Sequence, residues 1–353
     1  MPFNQRKNHT LLVLFILIIL FNASGSFAQK LSMAEAKHAG DSIIPEAILP
    51  FWQSLTLKEK AAQTLMVYMP SASYIKKHQF GGVLIMKPHL KDTLHLKEEL
   101  SLANESLKIP LLTAIDQEGG KVNRLQAISP EWKNLPSAKE MRAMTDDSVY
   151  NLAKQIGNAL HHYGINLNLA PVLDPPKDSK GKPSFIEVSN RSFGEFETAV
   201  PKIRSFVKGM KESKVLSTSK HFPGYDSWTN SDHQIAFSTS SKDVILKNVE
   251  LFKEFADEIP VIMLSSVRFV RLSNTPAVFN PKITAMAREI SPYTVLLTDD
   301  LWGVSLRAWI SGTDKVKGKN YPSKDFKKLI RTVLWARNDM FMITDRKSTR
   351  LNS

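Results

Sequence analysis

The chain of 353 residues contains no cysteine. That absence excludes disulfides, thiolate metal sites, a cysteine nucleophile and a lipid anchor carried on cysteine. Glycine (15) and proline (19) are too sparse for a collagen-like or low-complexity architecture. Acidic residues are outnumbered by Lys and Arg, 34 to 47, for a formal charge of +13. The basic residues are scattered singly, with no Lys/Arg block ahead of the C-terminal tail. No nucleic-acid partner is therefore expected; an excess of positive charge also suits anionic glycans or a cell envelope. There is no H-E-x-x-H run and no helix with paired histidines, so neither a metal nor another cofactor is expected. Internal repeats and Pro/Gly/Ser-rich linkers are missing too. With 42% hydrophobic and 23% charged residues, the composition is that of a globular protein.

The two ends differ from the middle. Arg6 and Lys7 precede an apolar run from Leu11 to Phe21, and Ser26 and Ala28 give a small-x-small pattern. Eleven apolar residues fall short of a bilayer span, so residues 1–28 read as a signal peptide cut after Ala28, leaving no stable membrane anchor. Removing them takes away two basic and no acidic residues, leaving 325 residues at +11. Export to a periplasm or the exterior is the expectation. Residues 29–49 read as a helical lead-in, and 346–353 as a tail with no periodicity that is not native to the gene.

Between the ends, short apolar runs alternate with helical patterns. The strand candidates are Thr64–Met69, Gly82–Lys87, Pro110–Asp116, Ile165–Pro171, Val215–Phe222, Pro260–Ser265, Thr294–Asp299 and Met340–Thr344. Most are continuously apolar, as strands covered on both faces are. Helices are expected over Lys91–Leu107, Ala138–His162, Val200–Ser213, Lys242–Asp257, Pro281–Ile290 and Lys324–Arg337. Eightfold strand–helix alternation predicts one α/β domain over residues 50–345, a (β/α)₈ barrel of TIM type, truncated after its eighth strand. A doubly wound sheet is the alternative, weakened because no Gly-x-Gly-x-x-Gly follows the first strand.

Polar residues follow the apolar runs directly. The third strand runs into Asp116-Gln117-Glu118-Gly119-Gly120, the fourth into Asp174, the fifth into Lys220-His221-Phe222-Pro223-Gly224 and the seventh into Asp299-Asp300. One such residue is explained by a helix cap, and that is the expectation for Asp300. Four together at the C-terminal rim of a barrel predict a concave polar site.

The run Asp116 to Leu125, DQEGGKVNRL, closely resembles the DQEGGRVxRL signature of glycoside hydrolase family 3, in its single-domain β-N-acetylglucosaminidase branch. Six more segments fall in that family's order: Leu57–Gln63, Gly81–Leu84, Asn168–Asp174, Asn190-Arg191-Ser192-Phe193-Gly194, Lys220–Gly224 and Thr298-Asp299-Asp300-Leu301. The resemblance spans about residues 50–345. It implies a retaining glycosidase on a (β/α)₈ barrel, with Asp299 as the carboxylate nucleophile. It implies substrate contacts from Asp116, Arg124, Arg191, Lys220 and His221, groups suited to sugar hydroxyl and acetamido oxygens. Arg124 and Lys220 are expected at the rim; for Arg191 and Lys220 the plainer role is an internal ion pair with Asp116 or Asp174.

The acid/base loop departs from the family. The branch uses a His on a mobile loop, oriented by an Asp two residues earlier. Here the loop reads Ser231-Asp232-His233, which puts His233 at the matching position and Ser231 where the Asp belongs. A serine hydroxyl cannot stabilise imidazolium as a carboxylate does. Either Asp232 or Asp226 is left to supply the charge. A second departure is Ser266, where the family has a His. The resemblance thus implies an exported β-N-acetylhexosaminidase that removes terminal β-linked N-acetylglucosamine from glycans, with peptidoglycan fragments as the natural source. A catalytically impaired glycan-binding barrel and a β-glucosidase-like activity are the alternatives. A monomer is the expectation, and related exported proteins suggest a further C-terminal domain in the native gene.

Overall fold

The computed structural model describes residues 48–291, 293–313 and 321–344. The expected signal peptide, most of the expected lead-in and the expected tail lie outside the described residues. Eight parallel strands form the body: β1 (Leu65–Tyr68), β2 (Gly82–Ile85), β3 (Leu112–Ile115), β4 (Leu167–Asn168), β5 (Leu216–Phe222), β7 (Val261–Leu264), β9 (Val295–Thr298) and β10 (Phe341–Ile343). They neighbour one another in chain order, and β10 returns to pair with β1 through Leu65↔Phe341, Met66↔Met342 and Val67↔Ile343. The ring closes between β9 and β10 at a parallel bridge, Leu297↔Met340, where Thr298 N donates to Met340 O at 2.9 Å. All eight expected strands are present, and the fold is the (β/α)₈ barrel.

The unbroken apolar runs have a simple cause. Successive side chains of a strand point to opposite faces, and both faces are covered. Leu84, Met263, Leu297 and Met342 fill the barrel interior. Their neighbours Val83, Ile85, Ile262, Leu264, Leu296 and Phe341 pack against the surrounding helices. The interior needs a floor, and the N-terminal helix α1 (Leu49–Ser54) provides it: Ile48, Trp52 and Leu55 are buried in the same cluster as the interior side chains.

Helices cover the outside, with several revisions, among them an unexpected helix Ala72–His78 between β1 and β2. The expected Ala138–His162 helix is two, Ala138–Met141 and Asp146–His162. Thr145 restarts the chain as an N-cap, its hydroxyl accepting from Ser148 N at 3.2 Å. A helix not anticipated, Val304–Ser311, follows β9; Ser305, Leu306, Ala308 and Ile310 are all buried, so it carries no polar stripe to announce it. The excursions after β5 and after β7 pair as a small parallel ribbon of β6 (Phe237–Ser238) and β8 (Arg268–Phe269). No helix among the described residues is long and apolar enough to cross a membrane.

Candidate active site

At the C-terminal ends of the strands lies a cleft of about 280 Å³. Its walls include Asp116, Arg124, Arg191, Lys220, His221, Asp232 and Asp299, seven of the eight residues expected at the site. His233 is the exception; it is exposed and is not part of the cleft wall.

The floor on one side is an ion network. Lys220 points its ammonium 2.8 Å from Asp116 Oδ1 and 2.6 Å from Glu118 Oε1, and Arg191 meets Glu118 with two 2.8 Å hydrogen bonds. Burial alone would drive Asp116 and Glu118 towards their neutral forms. The adjacent cations outweigh it and hold both carboxyls below their ordinary range. Lys220 and Arg191 are held above theirs by the same carboxylates. Two expectations change here. The ion-pair partners of Arg191 and Lys220 include Glu118, and Lys220 does not sit at the rim: it is 1% exposed. Arg124, by contrast, stands 4.0 Å from Asp116, and its buried Nε has no partner among the described residues, so it keeps donors for an incoming group.

His221 is oriented by Asp174. Nδ1 lies 2.6 Å from Asp174 Oδ2, while Asp174 Oδ1 accepts from the backbone N–H groups of His221 (2.8 Å) and Tyr225 (2.6 Å). A carboxylate at Nδ1 assigns a proton to that nitrogen and turns Nε2 away from Asp174.

Across the cleft stands Asp299, directly after β9. Oδ2 accepts from Ser266 Oγ at 2.7 Å and Oδ1 accepts from Asp300 N at 2.8 Å, which fixes the carboxylate plane. Asp300 is not the helix cap expected of it. The N-cap of Val304–Ser311 is Gly303, and Asp300 instead bonds Trp302 N (3.1 Å) and Thr344 Oγ1 (2.5 Å) beside the cleft. Burial, with a smaller push from the Asp299 charge, raises its carboxyl to about 7.

The acid/base loop is pinned at its base. Tyr225 Oη accepts from Ser231 N at 2.8 Å and donates to Thr229 O, and Ser231 O accepts from Ser305 N at 3.0 Å. Asp232 reaches the turn after Asp299: a Cβ added to Gly303 would lie 3.6 Å from Asp232 Oδ1 and 3.5 Å from Asp300 O. One side of Asp232 is open to solvent, but the cleft walls strip water from its carboxyl, and the Asp299 charge adds to that effect; both raise it above its usual range. Asp226, the other candidate partner for His233, is turned away, buried with Ser240.

Sequence reasoning left out Glu118, Asp174, Tyr225 and Asp300 as site residues. Glu118 had a signal, a second acid two positions after Asp116 at a strand end. Among the described residues no group of three or more His, Asp or Glu is arranged to hold a metal ion.

Comparison with known proteins agrees with this geometry. The family model described as "Glycosyl hydrolase family 3 N terminal domain" matches residues 56–300. A β-hexosaminidase of Pseudomonas aeruginosa is 27% identical over 64% of this chain and 68% of its own length. One from Glaesserella parasuis is 28% identical over 56% of this chain and 57% of its own. Among solved structures, M tuberculosis LpqI superposes with a TM-score of 0.70 at 23% identity, covering 85% of this chain and 86% of that one. A β-N-acetylhexosaminidase from Beutenbergia cavernae gives 0.69 at 23% identity, covering 84% and 89%. With a family model matched over more than half of its residues, the chain belongs to glycosyl hydrolase family 3, carries that family's N-terminal domain, and is a glycosidase of O-glycosyl bonds.

Proposed function

We propose that this chain is a retaining β-N-acetylhexosaminidase that removes terminal β-linked N-acetylglucosamine, with peptidoglycan fragments as its source of substrate. The observation that carries the reading is the placement of Asp299. Its carboxylate is held at both oxygens and opens on the same small cleft as the Asp116–Lys220–Glu118–Arg191 network. A cleft of about 280 Å³ suits one sugar unit. In the first step a free lone pair of Asp299 forms a bond to the anomeric carbon as the glycosidic C–O bond breaks. The leaving oxygen takes a proton from the Asp232–His233 loop. In the second step water attacks the same carbon, gives its proton back to that loop and releases Asp299. Asp116 and Arg124 provide acceptors and donors for ring hydroxyls and the acetamido group. Names of the β-hexosaminidase relatives support the choice of sugar.

Export is part of the proposal and rests on Arg6-Lys7, the Leu11–Phe21 run and the Ser26-x-Ala28 pattern. A mature charge of +11 suits an anionic wall polymer.

One observation favours a second reading, a glycan-binding barrel with impaired catalysis: His233 stands outside the cleft, and Ser231 and Ser266 replace family residues. Hydrolysis of aryl β-N-acetylglucosaminide and aryl β-glucoside, beside a sugar-binding titration, separates these readings. Turnover of the first substrate supports the proposal. Turnover of the second alone points to a glucosidase, and binding without turnover of either leaves the binding barrel.

A further inference from the structure

A second, smaller pocket of about 210 Å³ lies beside the cleft, on the same loop. Tyr225 and residues 230–232 line the cleft, while Asp226 to Thr229 between them line the second pocket. The backbone carbonyl of Ser227 accepts from the N–H of Phe185, a cleft residue, at 2.8 Å. The two cavities therefore share a wall.

The lining has an unusual chemistry for a basic protein. Asp226 is 2% exposed. Ser240 Oγ donates to its Oδ2 at 2.5 Å, but its Oδ1 is buried with no hydrogen-bond partner among the described residues. The Ser238 hydroxyl also favours the ionised form of Asp226. Asp178 adds a second carboxylate. Its Oδ1 already accepts from Lys180 N (2.9 Å) and Lys182 N (2.8 Å), and its charge, after burial, helps to push Asp226 above the usual carboxylate range. No ion pair to either carboxylate occurs among the described residues. An unpartnered buried carboxylate oxygen is costly, and two carboxylates together make the pocket a place for a cation.

The rest of the lining gives that cation a shape. Trp228, 68% exposed, leaves a large apolar face open at the pocket, and Phe237 is 43% exposed with the Arg268 guanidinium over one face of its ring, 5.3 Å from the centroid. Ser227, Thr229 and Thr239 supply hydroxyls around them. Aromatic faces suit the C–H face of a pyranose, hydroxyls suit its hydroxyls, and the carboxylates suit an ammonium. We infer that this pocket binds a hexosamine with a free amino group, a de-N-acetylated glucosamine unit carrying its positive charge. Such a unit next to the cleft would mark partially de-N-acetylated glycans. The inference rests on the pocket's own residues and stands apart from the assignment of Asp299.

Calorimetric titration of the full chain with methyl β-glucosaminide and with methyl β-glucoside at pH 6.5 tests it. The amino sugar is expected to bind at least tenfold more tightly. Asp226→Asn should erase that preference, and Trp228→Ala, on the exposed surface, should weaken both ligands about tenfold. Asp178→Asn should reduce the preference even if Asp226→Asn does not fold. Equal affinity for the two glycosides in the unaltered protein overturns the inference, as does an unchanged preference in the aspartate variants. Equal binding of butylamine overturns the sugar part. The titration reads no hydrolysis, so its failure leaves Asp299 as assigned, and absence of hydrolysis leaves the pocket as argued.

Discussion

Ser266 Oγ donates a 2.7 Å hydrogen bond to Asp299 Oδ2, so a residue that departs from the family pattern touches the proposed nucleophile directly. The bond steadies the carboxylate and draws charge from it. Those effects oppose each other in the first chemical step. Ser266→Ala is therefore expected to lower turnover of aryl β-N-acetylglucosaminide by less than about tenfold, whereas Asp299→Ala should abolish covalent catalysis, a loss of roughly 10⁴-fold or more. Single-turnover kinetics check this. A Ser266→Ala loss as large as that of Asp299→Ala would give the serine a part in bond-making.

Asp232 faces the cleft and His233 does not. Asp232→Asn should cost roughly 10²–10⁴ in turnover, the usual range for general acid catalysis. The loss should shrink sharply for dinitrophenyl glycosides, whose leaving groups need little protonation. His233→Ala should show the same pattern if loop movement brings the imidazole in. A costly Asp232→Asn beside a silent His233→Ala would make Asp232 the donor itself. If Asp232→Asn and His233→Ala are both silent on every substrate, the loop has no acid role.

Lys220 and Arg124 should respond differently to truncation. Lys220 is buried between Asp116 and Glu118, so Lys220→Ala takes from Asp116 its close cation and leaves Glu118 with Arg191 alone. Breaking such a buried pair costs about 3–5 kcal/mol, and chemical denaturation should show the loss. Arg124 makes only a 4.0 Å contact with Asp116. Arg124→Ala should leave stability nearly unchanged and weaken sugar binding about 10–150-fold, the worth of one charge-assisted hydrogen bond. Unchanged affinity in Arg124→Ala would remove it from the binding site.

Asp300 makes stability depend on pH. Its carboxyl is raised to about 7 in the folded chain from an ordinary 3.8. Below about pH 4 both states hold the proton and nothing is lost. As pH climbs from 4 to 7 the unfolded chain ionises first, so stability falls, then levels off above 7. The loss is at most roughly 3–4 kcal/mol, less because one edge of the carboxyl meets the solvent of the cleft. Asp300→Asn should remove this slope, and thermal melts at pH 5 and pH 8 would show it. An unaltered slope in the variant would place the titration elsewhere.

Much of this was legible from local patterns. The eight apolar runs marked the strands because both faces of each are covered, and a charged residue ending such a run marked Asp116, Lys220 and Asp299. What stayed hidden depends on distant partners. Glu118 matters because Arg191 arrives from the loop after β4 and Lys220 from β5, and Asp174 because His221 arrives from β5 as well. Asp300 imitates a helix cap locally; only Thr344, from the far end of the chain, shows where its second oxygen goes. The direction of Asp232 and His233 depends on how Ser231 is tied to Tyr225 and Ser305, which no spacing rule contains.

The pairing of Leu65 with Phe341 sets an order of events during synthesis. The first strand of the ring gains one neighbour early, β2, and waits for the other until residues 341–343 have been made. Until then β1 keeps one ladder edge open, and Met342 is missing from the interior it shares with Trp52 of the floor. A segment trimmed to residues 56–300, the part matched by the family, would possess neither floor nor last stave. The seam joins early chain to late: a ribosome pausing before residue 340 holds an open trough, and the eighth strand of the ring turns it into a closed vessel.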